Sequence, residues 1–230
     1  MHQTQKVLDG VWPGACHQLN SEVTIVEHGS TYDVIACRGT QPQGCANGLD
    51  LTHGFARAVT RTIEHSGWPA FLQANVRGRI GHHHQFRVSI AACANGCSRP
   101  HIVDVGFIAA AYPVVDQDLC MGCGKCIRAC PDGAITAVEE SVQIAGGSCL
   151  GCGMCMRVCE QKALVPVSTG YRVVVGGKLG RHPRLGRELP GVFAPEEALD
   201  VLTRALEFVM ENYSHGRNLG TIMEAVGDPW

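Results

Sequence analysis

The sequence predicts an α+β fold, a mixed α/β host domain carrying a small inserted module. Three observations predict it. Short β-like runs and amphipathic helices occur toward both ends of the 230-residue chain. Between them, residues 112–168 are dense in Cys and Gly and repeat internally. The composition is that of a globular protein, 45% hydrophobic and 17% charged, and the length suffices for one sizeable core with an insert. The expected division is residues 1–111 and 169–230 for the host and 112–168 for the insert.

Taken in order, Val23–Val26 and Tyr32–Ala36 predict a hairpin turning at His28-Gly29-Ser30. Thr52 is the expected N-cap of a helix reaching about His65, with Phe55, Val59 and Ile63 on one face and Gly67 as its stop. Phe86–Ala92 predicts a strand that enters a cysteine loop. Tyr171–Val175 is a further β-run, followed by the basic loop Gly176–Arg187. Pro195 opens a helix with Glu196 and Glu197 at its positive end. Its apolar positions Leu199, Leu202, Leu206 and Val209 form one buried face.

A net charge of −2 excludes a polycation built for nucleic acid. No run of 18 apolar residues occurs, so no membrane span is expected. MHQTQKVLDG at the N-terminus has no apolar core of a signal peptide, and a cytoplasmic protein is expected. The 13 cysteines are odd in number and regularly spaced, which favours metal ligation over disulfides. Only Cys16 falls outside the groups below. Gly176-Gly-Lys-Leu-Gly180 lacks the frame of a phosphate-binding loop. No G-x-G-x-x-G follows a strand, so electrons are expected from a partner protein.

Cys120-Met-Gly-Cys-Gly-Lys-Cys-Ile-Arg-Ala-Cys130 recurs without a gap as Cys149-Leu-Gly-Cys-Gly-Met-Cys-Met-Arg-Val-Cys159. An iron–sulfur cube takes four thiolates, and C-x2-C-x2-C supplies three from one tight loop. Gly122, Gly124, Gly151 and Gly153 let that loop wrap a corner of the cube. In the bacterial-ferredoxin pattern the fourth ligand comes from the other repeat. The expected sets are Cys120, Cys123, Cys126 and Cys159, and Cys149, Cys152, Cys155 and Cys130, each for a [4Fe-4S] cluster. Pro131 follows the first motif as that pattern has it, whereas Glu160 stands in its place in the second. Two zinc knuckles are the alternative, although zinc sites favour paired C-x2-C units over four-cysteine runs.

Four more cysteines lie in the host, as Cys37-x7-Cys45 and Cys93-x3-Cys97. Spacing alone leaves a third cluster and buried thiols both open. The surrounding residues add a resemblance. Ala92-Cys-Ala-Asn-Gly-Cys-Ser-Arg-Pro-His-Ile-Val-Asp-Val-Gly-Phe-Ile108 resembles the cluster-and-sirohaem signature of the sulfite/nitrite reductase superfamily. Gly170-Tyr-Arg-Val-Val-Val-Gly-Gly-Lys-Leu-Gly-Arg-His-Pro-Arg-Leu185 and Arg217-Asn-Leu-Gly-Thr-Ile-Met-Glu-Ala-Val-Gly227 are similar to its later segments. A ferredoxin module at this point is similar to the small anaerobic and the dissimilatory sulfite reductases. The resemblance spans roughly residues 32–227. It implies a third [4Fe-4S] cluster on Cys37, Cys45, Cys93 and Cys97, with Cys97 bridging to a sirohaem iron. It implies a sulfite-reductase-like oxidoreductase subunit fed by a ferredoxin or flavoprotein subunit.

The placement of charge points the same way. Between His65 and Val103 there is no acid, but there are Arg77, Arg79, Arg87 and Arg99. Between Gln161 and Arg187 there is again none, but there are Lys162, Arg172, Lys178, Arg181, Arg184 and Arg187. An anionic cofactor and an oxyanion substrate need such cations. Arg77, Arg79, Arg99, Lys178, Arg181 and Arg184, with Cys97, are therefore the expected cofactor-binding residues. Arg87, His84 and Lys178 are the expected catalytic residues, and imidazole at His82, His83 or His84 titrates near neutrality. A solvated basic face docking an acidic partner is the competing explanation of the charges.

The chain departs from the superfamily pattern in three places. The first cysteine pair is spaced x7 rather than x5. Gln85 and Arg87 stand where the sulfite reductases often carry two lysines. Only 36 residues precede Cys37, so part of the haem and substrate pocket is expected either to be missing or to come from another subunit. A homo-oligomer or a heteromeric complex follows, and a haem-free electron-transfer subunit remains the alternative function.

Overall fold

Eight strands form among the described residues, all but the last from runs rich in β-branched, aliphatic and aromatic residues. They are β1 (Thr24–His28), β2 (Tyr32–Ala36), β3 (Phe86–Ala91), β4 (Val105–Val115), β5 (Ile135–Val138), β6 (Ser141–Ile144), β7 (Leu164–Val175) and β8 (Arg187–Glu188). Among the same residues six α-helices accompany them: α1 (Phe55–His65), α2 (Trp68–Asn75), α3 (Lys125–Ala129), α4 (Met154–Val158), α5 (Pro195–Glu211) and α6 (Leu219–Val226). The computed structural model describes residues 24–28, 31–41, 44–52, 54–214 and 216–230.

Six strands make one mixed sheet in the order β1-β2-β3-β4-β7-β8. β2, β3 and β4 run parallel, and the outer pairings are antiparallel. The period of two along each strand separates the faces. Phe86, Val88 and Ile90 of β3, Val105, Phe107 and Ala109 of β4, and Tyr171, Val173 and Val175 of β7 join one core with α1, α2, α5 and α6. Phe55 of α1 stacks on Tyr171 at 4.0 Å and meets Phe107 edge-on at 5.2 Å. Each such pair adds about 0.5–1.5 kcal/mol beyond burial. Leu202 and Leu206 of α5 are fully buried, each worth roughly 1.5–3 kcal/mol.

β1 and β2 form the expected antiparallel pair, with β1 running on through His28 to pair with Asp33, while Val23, Gly29 and Ser30 lie outside the described residues. Thr52 is not the N-cap of α1. Gly54 takes that position in the left-handed region (φ 82°), and the Thr52 hydroxyl is buried with no hydrogen-bond partner among the described residues. Ser66 closes α1 and Gly67 then caps α2, whose Trp68 indole donates to the Thr31 carbonyl at 2.8 Å. α5 begins at Pro195 as expected, and its Glu197 carboxylate accepts from the Ala194 N–H at 2.8 Å.

β4 and β7 pair over their whole length, from Val105 with Val175 to Val115 with Leu164. Positions 111/112 and 168/169 therefore fall within one continuous hairpin. The segment beyond it holds α3, α4 and the two-stranded β5–β6 sheet. Its own apolar cluster contains Cys126, Ile135, Val142, Cys155 and Leu164.

Candidate metal centres

The parallel register of β2 and β3 builds the first centre. Ala36 pairs with Ile90, so Cys37 follows one strand end and Cys93 lies just beyond the neighbouring one. The Ala92 N–H donates to Cys37 Sγ at 3.2 Å, and the Cys37 N–H donates to the Ile90 carbonyl at 3.0 Å. Gly39 lets the Cys45 loop close over them, because a Cβ there would lie 2.7 Å from that of Ala92. Burial pushes the Cys93 thiol up, and the neighbouring thiols of Cys37, Cys97 and Cys45 push the same way. The structure thus brings the four predicted host cysteines together. Cys37 and Cys93 are buried, Cys45 is half-buried, and Cys97 is exposed.

The chain after Cys97 is sealed onto the sheet face opposite the helices. Ser89 Oγ donates to the Ser98 carbonyl at 2.7 Å, and Ser98 Oγ donates to the Ile90 carbonyl at 2.9 Å. The second cysteine loop of the repeat lies over the same face. A Cβ at Gly151 would meet Ala110 Cβ at 3.1 Å, and the Ala111 N–H donates to the Gly151 carbonyl at 2.8 Å.

The cysteines of the repeat line two further cavities. Cys120, Cys123, Cys126 and Cys159 line one cavity of ≈ 70 Å³. Cys130, Cys149, Cys152 and Cys155 line another of ≈ 20 Å³. Gly122, at φ 62°, passes so close to the Glu140 carbonyl that a Cβ would lie 2.7 Å from its oxygen. Burial pushes the Cys155 thiol up to about 11 and raises those of Cys126 and Cys152. The Ser141 hydroxyl beside Cys120 lowers that thiol. Thiols held protonated by burial are deprotonated when a metal binds them. Among the described residues no three His, Cys, Asp or Glu groups converge on a point suited to a single ion. Four separated thiols around an apolar void fit a multi-iron group, whose irons each take one thiolate.

The predicted cations are not a uniform positive field. Lys178 is 7% exposed and is bonded to Glu224 of α6, with Thr221 Oγ1 at 3.4 Å. Arg184 reaches the same carboxylate at 3.4 Å, and its main chain bonds that of Lys178 in both directions. The Lys178 ammonium holds the Glu224 carboxyl below its ordinary range. Arg87 pairs with buried Asp104, whose carboxylate accepts the Arg87 N–H and the Leu219 N–H, both at 2.9 Å. Arg172 and Arg187 pair with Glu188 and Asp228. Arg77, Arg79, Arg99 and Arg181 are exposed and carry no acidic partner among the described residues. His84 Nδ1 accepts from the Gly81 N–H at 3.0 Å, within a turn formed by His82–His84.

A family model for the nitrite and sulphite reductase 4Fe-4S domain matches residues 49–227. The chain belongs to this family. The matched stretch holds the Cys93–Cys97 loop and both repeats, while Cys37 and Cys45 precede it. Over 101 residues the chain is 31% identical to the coenzyme F420-dependent sulfite reductase of Methanocaldococcus jannaschii, covering 44% of this chain and 14% of that one. Over 103 residues it is 24% identical to one of the anaerobic sulfite reductase subunits of Salmonella typhimurium, covering 45% of this chain and 25% of that one. The matched stretches thus span a quarter or less of these relatives. Among solved structures, dissimilatory sulfite reductase I superposes with a TM-score of 0.58 at 20% identity, over 87% of this chain and 51% of that one. That similarity supports the reductase fold. No helix among the described residues is long and apolar enough to cross a membrane.

Two residues of this nitrite/sulphite-reductase-type domain were not legible as functional in the sequence. Asp104 sits in the quoted signature, but its pairing with Arg87 depends on the β3–β4 register. Arg157 of α4 donates to the carbonyls of Ala46, Asn47 (3.3 Å) and Gly48 (2.6 Å), next to Cys45. The only signal for it was the repeat itself, which places Arg128 at the equivalent position.

Proposed function

We propose that this chain is the cluster-bearing subunit of a sulfite-reductase-type oxidoreductase. In this reading residues 112–168 are a ferredoxin-like module that takes electrons from a donor protein. Cys120, Cys123, Cys126 and Cys159 hold one [4Fe-4S] cluster, Cys130, Cys149, Cys152 and Cys155 a second, and Cys37, Cys45, Cys93 and Cys97 a third. The observation that carries the proposal is the gathering of twelve cysteines into three four-thiol sets. Two of those sets share one sheet face. Bound clusters would supply one-electron carriage, and a bound sirohaem would supply the iron at which sulfite or a similar oxyanion is reduced.

For the sirohaem, Cys97 is the most exposed of the four host cysteines, and Arg99 stands two residues beyond it. Arg77, Arg79 and Arg181 have guanidinium groups available for its carboxylates. Lys178 and Arg184 would first have to exchange Glu224 for the new anion, and Arg87 is already matched to Asp104. His84 would then stand as a proton donor near the bound oxyanion. These existing ion pairs favour the second reading, a haem-free electron-transfer subunit of a larger complex.

The test is anaerobic purification followed by a sulfite-dependent oxidation assay with a reduced low-potential donor. Sulfide production by the brown, haem-containing chain supports the first reading. Donor oxidation without tetrapyrrole and without sulfide supports the second. A colourless, iron-free chain contradicts both.

A further inference from the structure

The two arginines at the equivalent repeat position behave differently. Arg128 is exposed and makes no side-chain hydrogen bond among the described residues. Arg157 instead spreads its guanidinium over three consecutive main-chain carbonyls of the host, those of Ala46, Asn47 and Gly48. Beside it, Gly153 packs so closely on Leu49 that a Cβ would lie 2.8 Å from Leu49 Cδ2. The Leu49 N–H in turn donates to the Ala92 carbonyl at 2.8 Å, one residue before Cys93. One short seam therefore joins the loop of Cys152 and Cys155 to the loops of Cys45 and Cys93.

From this seam we infer that Arg157 is a positioning residue that docks the second cysteine repeat on the host centre. It makes the Cys130/Cys149/Cys152/Cys155 set the direct electron partner of the Cys37/Cys45/Cys93/Cys97 set. The Cys120/Cys123/Cys126/Cys159 set is then the outer one, facing the donor. The inference rests on the three-cluster reading above. A single electron passes from the inner set to the host set, supplied by the donor protein, and no bond is made or broken. The guanidinium acts in two ways. Its fork fixes the distance between the sets, as a planar multi-donor group does better than an ammonium. Its charge lies on the carbonyls that follow Cys45 and two residues from Cys155, where it would favour the reduced, more negative state of groups held by those loops.

The test uses the full chain, anaerobically purified, as wild type, Arg157→Ala, Arg157→Lys and Arg128→Ala. Iron content, midpoint potentials followed by low-temperature electron paramagnetic resonance, and stopped-flow reduction of the host centre are measured. In Arg157→Ala the inner and host potentials fall. Host reduction slows, because the spacing of the two sets is no longer fixed. Arg157→Lys keeps the potentials but not the rate, and Arg128→Ala leaves host potential and rate unchanged. An unaltered rate in Arg157→Lys, an unaltered host potential in iron-replete Arg157→Ala, or an equal effect from Arg128→Ala overturns the inference. Wild type with about eight irons instead of about twelve fails the three-cluster reading itself, whatever Arg157 does.

Discussion

The Pro100 carbonyl oxygen occupies the space in which a side chain at Gly106 would begin: a Cβ built there lies 2.1 Å from it. Gly106 is in the middle of β4, and Pro100 closes the loop that starts at Cys93 and Cys97. The fit is against backbone, so no rotamer change can relieve it.

Gly106→Ala is therefore expected to lift the Cys97–Val103 segment and empty the host centre while sparing the repeat. Iron analysis should fall from about twelve to about eight per chain, with folding retained by circular dichroism. Full iron retention in the variant would show that the loop does not depend on this approach.

The crossed ligand sets make a non-additive prediction. Cys120→Ser with Cys159→Ser should remove about four irons, no more than either substitution alone. Cys120→Ser with Cys130→Ser should remove about eight, because each thiol belongs to a different set. Iron and acid-labile sulfide assays on the two double variants distinguish crossed from uncrossed ligation.

Asp104 is buried, and desolvation raises its carboxyl above the ordinary value of 3.8, with Arg87 opposing. A raised acid binds its proton more tightly folded than unfolded, so the folded state holds more protons across that window. Stability contributed at this site is lost as pH rises from about 4 through the folded value. Asp104→Asn removes that slope. An amide has one accepting oxygen, so the variant also leaves either the Arg87 or the Leu219 N–H facing a donor, an offset of about 1–3 kcal/mol. Denaturant titrations across this range should show the stability difference, wild type minus variant, decreasing as pH rises. A difference independent of pH would mean that the Asp104 carboxyl does not titrate there.

Lys178 and Glu224 tie the Gly176–Arg187 loop to α6, with one partner buried and the other partly exposed. Lys178→Met should loosen α6, read as a lower melting temperature. It should leave the iron content unchanged, because no cysteine set touches this pair.

How far the sequence led depends on the range of the interactions involved. Local period and motif were enough for β2, α1, α5 and both cysteine repeats. The continuous β4–β7 hairpin was not legible, because its pairing is long-range and Pro113 faces Pro166 beside a register shift. Thr52 gave a side-chain cap signal that Gly54 overrode by its left-handed backbone. The acid-free basic stretches were real in sequence but neutralised only in part in space: Arg87, Arg172, Lys178, Arg184 and Arg187 are paired, while Arg77, Arg79, Arg99 and Arg181 have no acidic partner among the described residues. Glu224, Asp228 and Glu188 arrive from other elements, and Asp104 pairs through a strand register that no local window reveals. Arg157 could not be told from Arg128 before the module was placed on its host.

The most direct test of the central claim is the cofactor content of the anaerobically purified chain, measured as iron, acid-labile sulfide and acid–acetone-extractable tetrapyrrole. The account predicts about twelve cluster irons with matching sulfide, lost in blocks of about four when any one set is broken, together with an extractable sirohaem. Iron near eight, or a full cluster complement with no tetrapyrrole, would contradict it.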